Sequence, residues 1–402
     1  MLIPNFGFGG AQRVFSDLGK ELSKKFDVYE CVFNLDHQNV YPTKNRLITM
    51  GVKGGGNYFR KGYNFFKRCA VLKKIKAQYQ IDFTISHMEG ANYVNILSKG
   101  RGGVILCVHG AKNADKNITG IVGFIEKKFL IPFFFPMSNR IVSVSHAIKE
   151  ELIKYFILQK QQIDVIQNSF DINKITTRSD EPLARKYRLL FKNPVIITSG
   201  RLALQKNHAG LLDVCANAMA NENFKLVIIG DGSIKNDLLE RCNQLCLNAY
   251  VEGTDSLLTD EYQVYFLGFQ KNPFSLIKYA TLFALTSDWE GFPLAPCEAM
   301  ICGLPVLSTD CPTGPRELLA PDTPISVKPN LREPEYAEFG ILMPMLNYER
   351  NGDAIKVWSK TLVELLKNEK LRKQYARKGK IRMKDFNISN ISRSWGRILE
   401  KI

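Results

Sequence analysis

Residues 281–309 read TLFALTSDWEGFPLAPCEAMICGLPVLST, and this stretch decides the fold class of the chain. An apolar run opens it, a loop carrying Gly291 and Pro293 follows, and a second apolar run, LPVLST, closes it. Glycine and proline hold the loop out of a helix until about Ala295, and Gly303 ends the short helix that follows. A strand, a helix and a second strand in this order predict a parallel pair of strands and an α/β domain.

The same alternation extends along the rest of the chain. Apolar runs rich in β-branched residues predict strands, and an apolar residue every three or four positions predicts a helix. The predicted strands lie at residues 28–33, 83–86, 103–108 and 140–145 and, after a break, at 194–200, 224–230, 262–269, 281–287 and 304–309. The predicted helices of the first half lie at residues 11–25, 63–79 and 146–156. The pattern therefore predicts two doubly wound parallel sheets.

The length of 402 residues also favours two domains, since one domain holds about 150–200 residues. We expect a first domain at residues 1–175, a polar linker at 176–193, a second domain at 194–380, and a basic helix at 381–402 that packs back on the first domain. Only LIP precedes the first glycine loop, so the first strand is expected to be shortened.

Charge is distributed unevenly between the two halves. The whole chain has a formal net charge of +16, and residues 1–180 carry 26 basic and 14 acidic side chains, an excess of +12. Residues 37–81 contain ten basic residues and no acidic one. The first half is therefore the one that an anionic partner would contact.

Several classes of protein are not indicated by the sequence. The longest strongly apolar run, LIPFFFPM, is far shorter than the roughly 20 residues that span a bilayer. No secretory signal pattern opens the chain, and the nine cysteines are scattered without a CxxC pair, which is typical of reduced core residues in a cytosolic protein. No metal-binding motif occurs, so we expect no metal ion and no cofactor.

Candidate ligand-binding residues follow the predicted strands, because ligands of parallel sheets lie beyond the carboxyl ends of the strands. Gly9 and Gly10 would let the backbone approach an anion at the start of a helix, although glycine is also ordinary turn chemistry. Arg201 and Lys206 precede another helix, where two fixed cations suit a diphosphate, or are simply two solvated loop cations.

Two carboxylates accompany the stretch that decides the fold. Glu290 stands at the strand end, and Glu298 is predicted in the first turn of the short helix. Carboxylates at this position accept hydrogen bonds from sugar or ribose hydroxyls. A surface loop with a capping glutamate would show the same spacing.

Taken together, these segments resemble the retaining family 4 glycosyltransferases. The resemblance is carried by GGAQR, VSHAIKEEL, SGRLALQKN, IGDG, LGFQKNP and EGFPLAPCEAMICGLPVLST, in the family's order, from Gly9 to about Leu319. It implies the GT-B fold, in which two Rossmann-like domains face each other across a cleft. DCPTGPREL further resembles the bacterial enzymes that build capsule, O-antigen or lipid-linked oligosaccharides.

The resemblance also implies roles for individual residues. Arg201 and Lys206, with the backbone of Gly9 and Gly10, would hold the donor diphosphate. His109 in CVHG would lie beside the donor sugar as a catalytic residue, although a turn residue would look the same. The remaining donor contacts would come from Glu290, Gly291, Phe292, Leu294 and Glu298. Of these, Glu290 would also be catalytic, and Glu298 would bind the ribose.

Three features set this chain apart or carry a structural alternative. Residues 253–262 lengthen the segment before FLGF, as a surface insertion would. Thr313 and Gly314 stand where the family often has two glycines. Ser145 and His146 are expected to cap a helix and not to take part in catalysis.

The implied reaction moves a sugar from a nucleotide-diphosphate donor, expected to be a UDP-sugar, to a hydroxyl of a glycan or lipid-linked glycan with retention. Basic and aromatic residues alternate in residues 54–79, which suits an anionic membrane surface and a pyrophosphate-linked acceptor, or a solvated helix face with ordinary core aromatics. The enzyme is then expected in the cytoplasm, peripheral on the inner face of the plasma membrane.

Two other functions remain open from the sequence. A GT-B sugar-nucleotide epimerase, or a non-catalytic GT-B binding protein, would share the fold. Nucleic-acid binding would use similar charge, but no helix-turn-helix, RNP or zinc-finger motif supports it.

Overall fold

The structure, a computed structural model, describes the whole chain except residues 8, 36–40, 42, 117, 255–256, 326–330, 347–350 and 402. It divides the chain into two compact units. The first unit is Met1–Asp171 together with Phe386–Ile402, and the second is Ile172–Asp385. The C-terminal segment thus belongs to the same unit as the N-terminus.

The first unit is built on a parallel sheet. Among the described residues its strands are β1 (Leu2–Ile3), β2 (Tyr29–Val32), β3 (Arg46–Thr49), β4 (Phe83–His87), β5 (Gly103–Val108), β6 (Arg140–Ser143) and β7 (Ile163–Val165). They lie in the order β3-β2-β1-β4-β5-β6-β7 and pair in parallel. Despite its two residues, β1 pairs with both β2 and β4 in the middle of the sheet.

Helices cover the first sheet. They are α1 (Gly10–Leu22), α2 (Tyr58–Gln78), α3 (Glu89–Leu97), α4 (Gly120–Ile125), α5 (Ile131–Phe134), α6 (His146–Phe156) and, at the C-terminus, α15 (Ile388–Leu399), with a short π-helix at Glu126–Leu130. Apolar residues of α1 and α15 pack with strand residues of β4, β5 and β6. A second cluster joins α2 and α3 to β1 and β2.

The second unit contains a larger sheet. Its strands, in the described part of the chain, are β8 (Val195–Ser199), β9 (Lys225–Ile229), β10 (Ala249–Val251), β11 (Val264–Phe266), β12 (Leu282–Leu285), β13 (Val306–Thr309), β14 (Glu335–Tyr336) and β15 (Ile341–Met343). The order is β10-β11-β9-β8-β12-β13-β15-β14, and among these described strands only the edge strand β14 runs antiparallel to its neighbour.

The helices of the second unit complete the doubly wound arrangement. They are α7 (Ile172–Ser179), α8 (His208–Met219), α9 (Lys235–Gln244), α10 (Phe274–Ile277), α11 (Leu294–Cys302), α12 (Pro315–Leu319), α13 (Asn351–Lys367) and α14 (Glu369–Met383). The buried side chains of α8, α13 and the strands form one core around Trp358. The two parallel-sheet units confirm the predicted pair of Rossmann-like domains.

The structure refines several predicted boundaries. Residues 176–193, predicted as a linker, carry the end of α7 and a 3-10 helix at Arg185–Lys192, and they belong to the second unit. Helix α2 begins at Tyr58 and not at residue 63, because the Asn57 side chain accepts a hydrogen bond from the Arg60 N–H and caps it there. The predicted insertion at residues 253–262 lies partly outside the described residues.

Two predicted helix ends are confirmed. Ser145 caps α6 by accepting a hydrogen bond from the Ile148 N–H at 3.2 Å. Gly303 ends α11 with a φ of +88°, a left-handed conformation that favours glycine. Helix α11 begins at Leu294, so Glu298 lies beyond the first turn in which it was predicted.

Candidate active site

The loops after β8, β12 and β13 form the candidate site of the second unit. These three strands are neighbours in the sheet and run parallel, so their carboxyl ends meet at one edge. This is the edge at which the sequence placed Arg201, Lys206 and Glu290. The strand order therefore brings the predicted cations and the first carboxylate to the same side of the sheet.

Hydrogen bonds tie the loop after β8 to the loop after β12. The Gln205 Nε2 group donates to the Trp289 carbonyl at 2.7 Å, and the Asp288 N–H donates back to the Gln205 carbonyl at 2.8 Å. Thr286 Oγ1 donates to the Lys206 carbonyl at 3.1 Å. The two loops are therefore held as one piece, and this fixes the positions from which their side chains act.

An ion pair between Lys206 and Glu290 lies at the centre of this site. Lys206 Nζ is 2.6 Å from Glu290 Oε1, and Ser287 Oγ donates to the same oxygen at 2.6 Å. Glu290 is only 6% exposed. A buried carboxylate requires such partners, because burial without them is costly. The pair shows that the predicted phosphate-binding lysine and the predicted sugar-binding carboxylate touch each other.

The loop after β13 holds the backbone of Glu290. Thr313 is buried, and its Oγ1 donates to the Glu290 carbonyl. Gly314 has a φ of +90°, and a Cβ there would lie 2.7 Å from the Gly291 carbonyl oxygen. Of the two positions where the family often has glycines, Gly314 therefore allows the close backbone approach, and Thr313 donates a hydrogen bond instead. The sequence did not predict that hydrogen bond.

Arg316 stabilises the loop after β13 through ion pairs. Arg316 binds Asp310 bidentately, with Nε to Oδ1 at 3.0 Å and Nη2 to Oδ2 at 2.7 Å. Its Nη2 also donates to Glu335 Oε2 at 2.9 Å. Burial raises the pKa of Asp310, and the Arg316 guanidinium opposes that effect. Asp310 and Arg316 flank Thr313, so the network stiffens the contact with Glu290.

The other predicted donor contacts of this segment follow Glu290 along the chain. Gly291 and Phe292 are buried in the same loop, and Leu294 is the half-buried first residue of α11. Glu298 is buried within α11. The structure places all four on the loop and helix that follow β12, as the sequence predicted.

Arg201 is exposed on the loop after β8. Backbone bonds from Gly200 N–H to the Ile229 carbonyl at 2.9 Å and from Leu202 N–H to the Asp231 carbonyl at 3.0 Å fix that loop against the loop after β9. Two glycines make this approach possible. A Cβ at Gly230 would lie 1.9 Å from the Gly200 carbonyl oxygen, and a Cβ at Gly232 would lie 2.1 Å from that of Leu202.

The glycine loop of the first unit leads directly into α1. Gly9 is the residue before the helix, in an extended conformation with a φ of −168°, and Gly10 is its exposed first residue. No side chain caps the described start of α1. Gln12 Nε2 donates to Asn5 Oδ1 at 2.9 Å and links the helix to the preceding loop. The N–H groups of this first turn are the kind of donors that bind anions.

His109, the residue directly after β5, forms a pair with a second histidine that the sequence did not single out. His87 Nδ1 lies 2.8 Å from His109 Nε2, and the rings are stacked with centroids 5.0 Å apart. Burial lowers the pKa of His109 to about 4. It also lowers the pKa of His87 well below 6.5, with a further effect from His109. The missed signal was the histidine in FTISH, at the end of the strand beside CVH.

A cysteine lies next to the two histidines. His87, Cys107 and His109 are the described groups of this type whose ligand atoms lie within 4.8 Å of one another, close enough to be considered for a metal ion. Burial strongly raises the pKa of the Cys107 thiol, which keeps it protonated. The imidazoles already hydrogen-bond to each other, so the set fits a hydrogen-bonded pair better than a metal centre.

A buried lysine supports the loop that follows His109. Lys112 is 4% exposed, forms an ion pair with Glu89, and has a pKa lowered to about 8 by burial. The Asn113 N–H donates to Glu151, whose pKa is raised by its burial in α6. The sequence did not identify this network, because its members come from three separate elements.

Comparisons with known proteins agree with this geometry. The family described as Glycosyltransferase Family 4 matches residues 8–174, and the family described as Glycosyl transferases group 1 matches residues 180–338. A Methanocaldococcus jannaschii protein named uncharacterized glycosyltransferase MJ1059 is 32% identical over 362 residues, which cover 84% of each chain. The chain belongs to the family 4 glycosyltransferases.

Two further similarities extend over nearly the whole glycosyltransferase. The N-acetylgalactosamine-N,N'-diacetylbacillosaminyl-diphospho-undecaprenol 4-alpha-N-acetylgalactosaminyltransferase of Campylobacter jejuni is 27% identical, covering 98% of this chain and 96% of the relative. The crystal structure of Anabaena Alr3699/HepE in complex with UDP-glucose superposes with a TM-score of 0.72 at 17% identity, over 100% of this chain and 99% of the other. The GT-B class predicted from the motifs is thereby confirmed.

The first unit of this glycosyltransferase exposes basic and aromatic side chains on α2. Phe59 is 90% exposed, and Tyr58, Tyr63 and Phe66 are exposed as well. Not every basic residue of this helix points to solvent. Arg68 donates to the Val52 carbonyl at 3.1 Å.

A second apolar surface lies on the segment from α4 to α5. Its exposed large side chains are Ile121, Val122, Phe124, Ile125, Phe129 and Phe133. Lys128 lies over the Phe124 ring at 5.3 Å from its centroid. None of the helices in the described ranges is long and apolar enough to pass through a bilayer.

Proposed function

We propose that the enzyme transfers a sugar, with retention, from a UDP-sugar to a hydroxyl of a lipid-linked or lipopolysaccharide glycan in bacterial surface-polysaccharide synthesis. The observation that carries the proposal is the Lys206–Glu290 pair at the carboxyl edge of the second sheet. The name of the Campylobacter jejuni relative supports the acceptor, and the UDP-glucose complex of the Anabaena protein supports the donor.

The cations act on the leaving group. Negative charge grows on the diphosphate as the bond to the anomeric carbon breaks, and Lys206 with the exposed Arg201 stabilises it. Lys206 then shares its charge between the diphosphate and Glu290. Glu290, still held by Ser287 and Thr313, accepts a hydrogen bond from a hydroxyl of the donor sugar. Two cations and backbone N–H groups meet the charge requirement, so no metal ion and no cofactor are needed.

The other predicted residues complete the donor site. Glu298 binds the ribose hydroxyls, and Gly291, Phe292 and Leu294 enclose the sugar. His109 acts beside the donor sugar.

In the first unit, Gly9 precedes α1 and Gly10 is its first residue. The backbone N–H groups at this helix start bind the phosphates.

The bond changes balance without a co-reactant. The C–O bond between the anomeric carbon and the diphosphate breaks, and its electron pair stays on the phosphate oxygen. The acceptor hydroxyl oxygen forms the new glycosidic bond on the same face of the sugar, which gives retention. Its proton passes to the departing diphosphate, which serves as the base.

The acceptor and the membrane are assigned to the first unit. Exposed aromatic side chains next to lysines on α2 suit the boundary between lipid head groups and acyl chains, and the lysines suit a pyrophosphate linkage. This supports a peripheral position on the inner, cytoplasmic face of the plasma membrane.

A donor-hydrolysis assay tests the assignment. Purified enzyme is incubated with a panel of UDP- and GDP-sugars, with and without lipid extract, and nucleotide release is measured. We expect Lys206→Ala and Glu290→Gln to lower UDP release by about a hundredfold or more. The matched controls are Lys370→Ala and Glu240→Gln, which change exposed residues of the same unit.

The outcomes separate the candidate functions. Unchanged UDP release in both site variants would contradict the site assignment. Conversion of one sugar nucleotide into another without an acceptor would identify an epimerase. Thermal melts with the same panel of sugar nucleotides give a second measurement. If none of them raised the melting temperature, the whole proposal would be contradicted.

A further inference from the structure

The register of two strands brings a second histidine to His109. His87, the last residue of β4, pairs with Cys107 of β5. His109 follows β5 directly and lies two residues after Cys107, and its ring contacts His87 on this face. This face is covered by α1 and α15. The sheet itself therefore sets the two imidazoles side by side.

The two rings lie within hydrogen-bonding distance of each other. The Nδ1 of His87 and the Nε2 of His109 are 2.8 Å apart, and the ring planes differ by 27°. Phe15 packs edge-on against His87 with centroids 5.3 Å apart. Burial keeps both imidazoles neutral at physiological pH. In a neutral pair one ring must donate an N–H and the other must accept it with a lone pair.

The surroundings of His87 decide which ring donates. Its Nε2 atom is buried and has no hydrogen-bond partner among the residues that the structure describes. If His109 donated, His87 would carry its own hydrogen on that Nε2, and an N–H would be buried without an acceptor. If His87 donates from Nδ1, only a lone pair is left unpaired, and unpaired acceptors are tolerated better than unpaired donors. The second arrangement is therefore the favoured one.

We propose that His87 is a positioning residue that holds His109 in the tautomer with its hydrogen on Nδ1. The Nε2 lone pair of His109 is then occupied, so His109 meets the substrate as a hydrogen-bond donor and not as a base. This inference rests on the proposed function for the role of His109. It agrees with the assignment of the base to the departing diphosphate.

Nitrogen NMR of the full chain labelled with ¹⁵N-histidine tests the tautomer directly. The chain has five histidines, so assignment by single substitutions is practical. We expect His109 in the wild-type protein to show a protonated Nδ1 and an unprotonated Nε2 from about pH 5 to 8. His87→Phe keeps a ring but removes the donor, and His109 should then show both tautomers. His87→Asn keeps an N–H at the position of Nδ1 and should restore the wild-type pattern.

Kinetics test whether the tautomer matters. We expect His87→Phe to lower kcat about tenfold while the donor KM changes less than about twofold, and His87→Asn to recover most of the loss. The matched control is Phe15→Leu, which disturbs the packing around His87 but leaves its hydrogen bond. It should lower the melting temperature at least as much as His87→Phe while keeping kcat near the wild-type value.

Specific results would overturn the proposal. A wild-type spectrum with the His109 hydrogen on Nε2 would do so, as would an unchanged tautomer in His87→Phe. Equal kcat values in His87→Phe and Phe15→Leu would show that His87 acts only through packing. If the wild-type protein turns over no sugar nucleotide, the proposed function fails while the spectrum still decides the tautomer.

Discussion

At the scale of single residues, three neighbours from separate parts of the chain set the geometry of Glu290. Ser287 and Lys206 bind one carboxylate oxygen, and Thr313 binds the backbone carbonyl. The residue is thus held at its backbone and at one carboxylate oxygen, and the other carboxylate oxygen is the group that we expect to turn to a ligand. Preorganisation of this kind is what a site acting by charge and hydrogen bonding requires.

Removal of the Thr313 hydroxyl should loosen Glu290. We expect Thr313→Val to lower kcat/KM about tenfold, because the carbonyl of Glu290 loses its hydrogen bond, and Thr313→Ser to restore most of the activity. The control is Thr361→Val, since Thr361 is also buried and its hydroxyl donates to the Val357 carbonyl at 2.9 Å within α13. Equal activity losses in the two valine variants would show that Thr313 acts only through stability.

A buried histidine in the second unit should make stability depend on pH. Burial lowers the pKa of His208 to about 3, whereas a histidine in an unfolded chain titrates near about 6.5. Between these values the unfolded chain binds the proton and the folded chain does not, so stability falls as pH drops from about 6.5 towards 3. His208→Gln should make that fall shallower by up to about 1.4 kcal/mol per pH unit in denaturant titrations. An unchanged slope in His208→Gln would contradict this prediction.

At the scale of elements, the sequence was informative where a segment carries its own signal. Strand β5 and helix α6 have the predicted bounds, because an unbroken apolar run and a serine cap mark them. The strands β3 and β7 were missed, since RLIT and IDV are short, partly polar edge segments that only pairing with a neighbour identifies.

The candidate site likewise contains features that the sequence predicts and features that it does not. Lys206 and Glu290 could be placed together because parallel neighbours end at one edge of the sheet. The His87 pair and the Thr313 bond depend on strand register and loop conformation, which spacing along one chain does not contain. Resemblance to a family supplied roles, but it did not supply these contacts.

The packing of two loops in the second unit depends on Gly230. Its φ is +136°, and a Cβ there would meet the Gly200 carbonyl oxygen at 1.9 Å. We expect Gly230→Ala to destabilise the unit by about 2 kcal/mol or more and to weaken donor binding, because the loop carrying Arg201 must move. Gly352→Ala is the control: it lies in α13 with open space around it and should be neutral or stabilise by up to about 1 kcal/mol. Thermal melts with and without UDP measure both effects, and a Gly230→Ala protein as stable as the wild type would contradict the packing argument.

At the scale of the whole molecule, the basic residues that give the net charge of +16 have different roles. Lys206 is paired with Glu290 in the second unit. In the first unit, Lys76 donates to Asn95 Oδ1 at 2.8 Å, and burial lowers its pKa to about 8, so it stabilises packing. The exposed lysines of α2 are among those that remain available to a partner.

Those exposed lysines should govern membrane binding without affecting donor chemistry. The test variant changes to Gln the exposed α2 residues Lys61, Lys67, Lys73 and Lys74. The control removes the same charge from exposed positions of the second unit, namely Lys192, Lys271, Lys360 and Lys370. Each lysine near an anionic surface contributes about 1 kcal/mol, so the test variant should bind phosphatidylserine vesicles at least tenfold more weakly than the control. Added salt should weaken wild-type binding, because it screens these charges. UDP release without lipid should match the wild type in both variants, and equal vesicle binding by the two would refute the assignment of α2 to the membrane.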